Sequence, residues 1–218
     1  MKCCITGNRP QKLPFIRFGD FNDINYMEYI ESMYYQIEQK IKMGYDYFIS
    51  GAALGVDLDF AEAVIYYRDG KLREPQDIKL EIAVPCDNQT RDWNKKDVER
   101  YNKILALADK IVYVSHKYTF DCMQKRNEYM VDNSELVLAF WNGETKGGTY
   151  NTIKYARKNN KQIEITNLKE QMPCKVRAGG LSHNQKKALW GFLVGLSGLE
   201  PPTPTLSGWC SNRLSYNP

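Results

Sequence analysis

Short apolar runs alternate with longer segments of helical period along the first three-quarters of the chain, and this alternation limits the fold more than any other feature. The runs at residues 2–6, 47–50, 80–84, 111–114, 136–141 and 162–165 are too short for helices. They read as strands of a buried sheet. Between the first two, Ile24, Met27, Ile30, Met33, Tyr34, Ile37 and Ile41 recur at spacings of three and four, which makes one apolar helical stripe. Asn22 or Asp23 can cap that helix and Gly44 can end it. Further helices are predicted over about 56–67, 95–108, 121–133 and 147–159. Repeated strand–helix–strand order calls for crossovers that return each strand parallel to the last. The predicted fold is therefore α/β: a Rossmann-like, doubly wound, mostly parallel sheet of about six strands with helices on both faces.

The pattern stops after about residue 167. Pro173, Gly179-Gly180 and Pro201, Pro202 and Pro204 punctuate a stretch without sustained period, apart from a short apolar helix predicted over 187–196. The expected organisation is one domain over 1–167, an irregular extension over 168–197, and a tail over 198–218. That tail back-translates around the T-arm and D-arm of a tRNA gene read on the opposite strand, and is expected to be read-through without selected function. The coding DNA tests this: without tRNA-like sequence there, the idea is finished.

Composition narrows the function. Hydrophobic residues make up 43% and charged residues 26%, a globular balance. No run approaches the roughly 20 apolar residues that span a bilayer, and the apolar stretch at the N-terminus is too short for a signal peptide. A cytoplasmic protein without membrane partners is the expectation. Of 30 basic and 26 acidic residues, seven and three lie beyond residue 160, which leaves 23 of each sign before it. A balanced core argues against nucleic-acid binding, which needs clustered Lys and Arg. Six cysteines form no C-x-x-C pair, and only His116 and His183 could join them, so no metal site and no cofactor are expected. Cys3 and Cys4 read as small core residues in the first strand.

Three turns at strand ends carry the chemistry. Thr6-Gly7-Asn8-Arg9-Pro10 follows the first strand: Gly7 permits close backbone approach, Asn8 tolerates positive φ, and Arg9 offers a fork for phosphate or carboxylate. Ser50-Gly51-Ala52-Ala53-Leu54-Gly55-Val56-Asp57 follows the second strand and opens a helix, whose free N–H groups favour an anion. Asp57 there either caps the helix or meets ligand hydroxyls. Trp141-Asn142-Gly143-Glu144-Thr145-Lys146-Gly147-Gly148-Thr149 follows the fifth strand and sets donors and a hydroxyl at another helix start. Ligands of open α/β folds bind at the carboxyl ends of strands, where all three turns are predicted.

These motifs, with Arg126-Asn127, Met130-Val131-Asp132-Asn133-Ser134, and Gln89 and Trp93 after Pro85, occur in the order found in YpsA-like proteins of the SLOG superfamily, which the chain resembles over about residues 2–166. The resemblance implies a pocket for a nucleotide or nucleotide-derived ligand, and a homo-oligomer. It makes Arg126 a phosphate contact and brings Asp132 to the ligand or to a helix cap. Trp93 and Trp141 either stack on a purine or fill core. The Lonely-guy phosphoribohydrolases of the same superfamily cleave the N-glycosidic bond of nucleoside monophosphates with an Arg and a Glu. Arg126 matches the former, but Thr152 stands where the Glu would be. The expected function is thus binding, and sensing, of a phosphorylated nucleotide-like ligand. N-glycosidic hydrolysis through Arg126 is the second reading, and single-stranded DNA binding of the DprA kind the third.

Overall fold

The computed structural model describes residues 1–13, 24–70 and 74–169. The predicted helix over 187–196, the tail over 198–218 and the capping residues Asn22 and Asp23 lie outside the described residues.

Eleven elements alternate as the sequence requires: β1 (Lys2–Gly7), α1 (Ile24–Lys42), β2 (Tyr47–Ser50), α2 (Val56–Arg68), β3 (Lys79–Val84), α3 (Lys95–Leu107), β4 (Lys110–Tyr113), α4 (Cys122–Asp132), β5 (Leu136–Trp141), α5 (Gly148–Lys158) and β6 (Gln162–Asn167). A single 3-10 turn, Pro10–Lys12, follows β1. The strands form one sheet in the order β4-β3-β2-β1-β5-β6, and every pairing is parallel. Two strands run further than their apolar cores. Pairing with β5 carries β1 to Gly7 opposite Phe140, and β6 to Asn167 opposite Trp141. Gly44 follows α1 with φ +89, a conformation that ends a helix at little cost only for glycine.

Alternation along each strand divides the core in two. Cys3, Ile5, Phe48, Leu80, Ile82, Leu136, Leu138 and Phe140 face α1, α2 and α3. Cys4, Ile49, Ala83 and Val137 face α4 and α5, meeting Met130, Val131 and Ala156. The first face buries the aromatic bulk, including Tyr29, Tyr34 and Tyr66. The second is built from smaller side chains. Among the described residues no helix is long and apolar enough to cross a membrane.

From β1 the chain steps outward through β2, β3 and β4, then returns to place β5 on the other side of β1. The β1/β5 boundary is therefore the topological switch point, where helices from opposite faces part and leave a crevice above the strand ends.

Candidate functional site

The turn after β1 is the hub of that crevice. A side chain at Gly7 would overlap Val56 at the start of α2, so the strand end and the helix end touch only because Gly7 lacks a Cβ. The Gly7 carbonyl accepts a hydrogen bond from Thr149 Oγ1 at 2.8 Å, in the first turn of α5. Buried Asn8 donates its N–H to the Phe140 carbonyl at 3.2 Å and accepts the Asn142 N–H on Oδ1 at 2.9 Å. Gly55 takes φ +93, and a Cβ there would come within 2.7 Å of the Asn8 carbonyl oxygen. Gly7-Asn8 is thus clasped between the N-termini of α2 and α5.

Those two helix ends differ in charge: α2 carries Asp57 and Asp59 in its first turn and its Leu58 N–H donates to the Ala53 carbonyl, whereas the first turn of α5 holds no acid. Neither α2 nor α5 has a side-chain N-cap, whereas Asn94 caps α3 by accepting the Asp97 N–H at 3.0 Å. First-turn N–H groups without acceptors carry the positive end of the helix dipole, an arrangement that attracts anions. Gly147, at φ +100, sets the entry to α5. Asp57 does not take the N-cap position, which belongs to Gly55.

Behind the β2 turn sits a buried ion pair. Arg126 reaches from α4 to donate Nη1 to the Gly51 carbonyl at 2.6 Å and Nε to Asn127 Oδ1 at 2.9 Å. Its Nη1 stands 3.7 Å from Asp57 Oδ2. A Cβ on Gly51 would fall on this guanidinium. Burial raises the Asp57 carboxyl above its ordinary range, against the lowering pull of Arg126 and Arg9. Burial also lowers the Arg126 guanidinium, which Asp57 opposes. Ser50 Oγ donates to the Asp57 carbonyl at 2.7 Å and accepts the Ala52 N–H at 3.1 Å, holding Ala52 at φ +45. Such a φ is uncommon outside glycine and signals a constrained turn.

The remaining segments brace this centre. Gln89, after β3, donates Nε2 to the carbonyls of Gly51 (3.3 Å) and Ala52 (3.0 Å). Asn142 donates Nδ2 to the Lys12 carbonyl and accepts the Glu144 N–H, tying the β5 turn to the β1 turn, and Lys12 pairs with Glu144 at 3.0 Å. Trp141 stacks on Tyr150 at 6.1 Å between ring centres and donates Nε1 to the Glu144 carbonyl. Beside Asn127 and Gly148 a groove of about 740 Å³ opens between α4 and α5, walled by Phe120, Met123, Lys154 and Tyr155. Its volume lies within the usual range for small-molecule sites, about 300–1,000 Å³.

The structure brings Gly7, Asn8, Ser50, Gly51, Gly55, Asp57, Arg126, Gly147, Gly148 and Thr149 to one rim, with Trp141 at its β5 end. Arg9, exposed before the 3-10 turn, adds its charge to Asp57 and Arg126. Two predicted residues stand apart. Asp132 closes α4 at its far end, about 16 Å along an eleven-residue helix, and accepts the Tyr155 hydroxyl at 3.2 Å on each oxygen. Trp93 meets Tyr101 edge to face at 5.5 Å and packs on the main core. Gln89, Asn127 and Asn142 all stand in the motifs that carry the resemblance, but their bracing roles were not anticipated; Asn142 also carries a local signal, the Asn-Gly turn dipeptide. Among the described residues no cluster of three His, Cys, Asp or Glu could hold a metal.

A parallel, doubly wound sheet whose glycine turns bring two helix N-termini to the switch point defines a Rossmann-like α/β protein. The comparisons agree: the chain belongs to the YpsA family, whose model, described as "YspA SLOG family", matches residues 3–171. The SPbeta prophage-derived protein YoqJ of Bacillus subtilis (strain 168) is 37% identical over 123 residues, 51% of this chain and 69% of the relative. The "UPF0398 protein" of Macrococcus caseolyticus is 28% identical over 76% of this chain and 90% of its own length. The "UPF0398 protein YpsA" of Bacillus subtilis is 25% identical over 72% and 85%.

Proposed function

We propose that this protein is a cytosolic binder, and sensor, of a phosphorylated nucleotide-derived ligand. A phosphate sits on the free N–H groups that open α5 and α2, and the rest of the ligand lies along the groove between α4 and α5. The observation that carries this reading is the clasp at Gly7-Asn8, where two uncapped helix ends meet one strand end. Arg9 and Arg126 add positive charge, and of the nearby carboxylates Asp57 faces Arg126 while Glu144 is paired with Lys12.

Binding is favoured over N-glycosidic cleavage by the state of Thr152. Its side chain is fully buried and donates Oγ1 to the Gly148 carbonyl at 2.9 Å, so the position supplies neither a base nor a charge for an oxocarbenium-like transition state. Glu128 accepts the Gln124 amide from one turn away along α4.

Isothermal titration of the purified protein against nucleoside mono- and diphosphates and sugar nucleotides tests the proposal. Saturable binding of at least one member, weakened in Thr149→Val, is the expected result. A folded protein that binds none of them overturns it. Incubation with AMP is expected to release no free base.

A further inference from the structure

Two unfavourable features coincide at the turn after β2. Ala52 is fully buried and holds φ +45, a left-handed conformation that a residue with a Cβ reaches only against steric resistance. Gln89, only 8% exposed, reaches the same turn, and its Oε1 is buried with no hydrogen-bond partner among the described residues. The amide cannot be turned round to relieve this. Its Nε2 faces the carbonyls of Gly51 at 3.3 Å and Ala52 at 3.0 Å, and a reversed amide would set oxygen against oxygen. Buried polar groups without a partner are rare in folded proteins, so one that persists calls for a reason. Strained backbone persists where its surroundings over-determine it, and such places cluster at functional sites.

The turn is sewn to the start of α2. Ser50 Oγ donates to the Asp57 carbonyl at 2.7 Å, Leu58 donates its N–H to the Ala53 carbonyl at 3.2 Å, and the Ala53 N–H holds the Asp57 carboxylate. A rotation at Ala52 therefore moves Gly55 and Val56, which pack on Asn8 and Gly7. The Gly51 carbonyl has a second donor in Arg126, whereas Gln89 is the one donor to the Ala52 carbonyl among the described residues.

We propose that Gln89 is a positioning residue for the anion: through the Ala52 carbonyl it holds the turn after β2 in its strained form, and so keeps Gly55 and Val56 in place on the clasp at Gly7-Asn8. Its amide serves affinity, not stability. This rests on the rim being the phosphate site. Losing the grip leaves the Ala52 carbonyl without a donor but also removes the orphan Oε1. One unpaired acceptor replaces another, and the fold gains about as much as it loses. The turn then relaxes toward negative φ, and the clasp loses its α2 side.

Gln89→Met, which keeps the reach of the side chain without its amide, tests this by titration with inorganic pyrophosphate and with ADP. The expected result is a melting curve close to the parent's with about tenfold weaker binding of both, the equivalent of one left-handed alanine. Ala52→Gly in that background is expected to restore binding, because glycine takes φ +45 without a grip. Amide hydrogen exchange adds a readout that needs no ligand. Ala52, whose N–H is held by Ser50 Oγ at 3.1 Å, is expected to exchange faster in Gln89→Met, while Ile5 in β1 keeps the parental rate.

Full affinity in Gln89→Met overturns the inference, as does affinity lost together with the melting temperature, or a loss that Ala52→Gly does not reverse. In each of those cases the parent still binds, and the rim stands as the phosphate site. A parent that binds neither pyrophosphate nor ADP sinks both.

Discussion

At Gly51 the backbone carbonyl accepts from Arg126 on one side and Gln89 on the other, and the missing Cβ leaves room for the guanidinium. Gly51→Ala forces that guanidinium aside. It is expected to cost about 1–3 kcal/mol, the usual range for overpacking, and to lower Tm by about 2–4 °C per kcal/mol in a chain of this size. An unchanged melting curve would remove Arg126 from the role of brace. The Arg126–Asp57 pair makes a sharper test. Arg126→Leu alone leaves a buried carboxylate without its cation, a loss of about 3–5 kcal/mol. The double variant Arg126→Leu/Asp57→Leu removes both charges and is expected to be more stable than Arg126→Leu. A double variant less stable than both single ones contradicts the pairing. Burial is also what sequence reading could not supply here. The resemblance implied Arg126 as a phosphate contact, whereas its use on the Gly51 carbonyl depends on two segments 75 residues apart.

Elements were the most legible level, because each strand and helix carries its own period and its own stop. Gly7, Gly51 and Pro85 fall at the ends of β1, β2 and β3, and Gly147 immediately precedes α5. What stayed hidden were contacts between elements, such as Gln89 crossing from the β3 loop to the Ala52 carbonyl, or Asp132 lying at the wrong end of α4 for the rim. Glu81 belongs to the same hidden class. From β3 it accepts hydrogen bonds from Tyr47 on β2, Tyr129 on α4 and Lys110 on β4. Those three donors outweigh the effect of burial and hold its carboxyl below the ordinary glutamate range. A carboxyl with a lowered folded-state pKa stabilises the fold above its unfolded pKa, about 4.3. That contribution is lost as pH falls through the folded value. Glu81→Gln is therefore expected to be less stable than the parent at pH 7, with a difference that shrinks as the pH drops below about 4.3. Urea denaturation from pH 7 to pH 3 measures it. A difference that stays constant contradicts the assignment.

On the scale of the whole molecule, the strand order decides where function can reside. A parallel sheet was legible from the repeating pattern, but the order β4-β3-β2-β1-β5-β6 was not, since local period says nothing about which strands become neighbours. That order sets β1 between β2 and β5, and so brings α2 and α5 to the same turn from opposite faces. A ligand seated there contacts both halves of the core and should stabilise the fold as a unit, by about 2.7 kcal/mol at a hundred times its Kd.

If the turns after β1, β2 and β5 make one anion cradle, they respond to a bound nucleotide as a unit. Amide-resolved NMR titration with the tightest-binding nucleotide tests it most directly. The N–H signals of Asn8, Val56, Asp57, Gly148 and Thr149 are expected to shift together along a single saturation curve. Shifts confined to one of the three turns, or separate curves for α2 and α5, would contradict it.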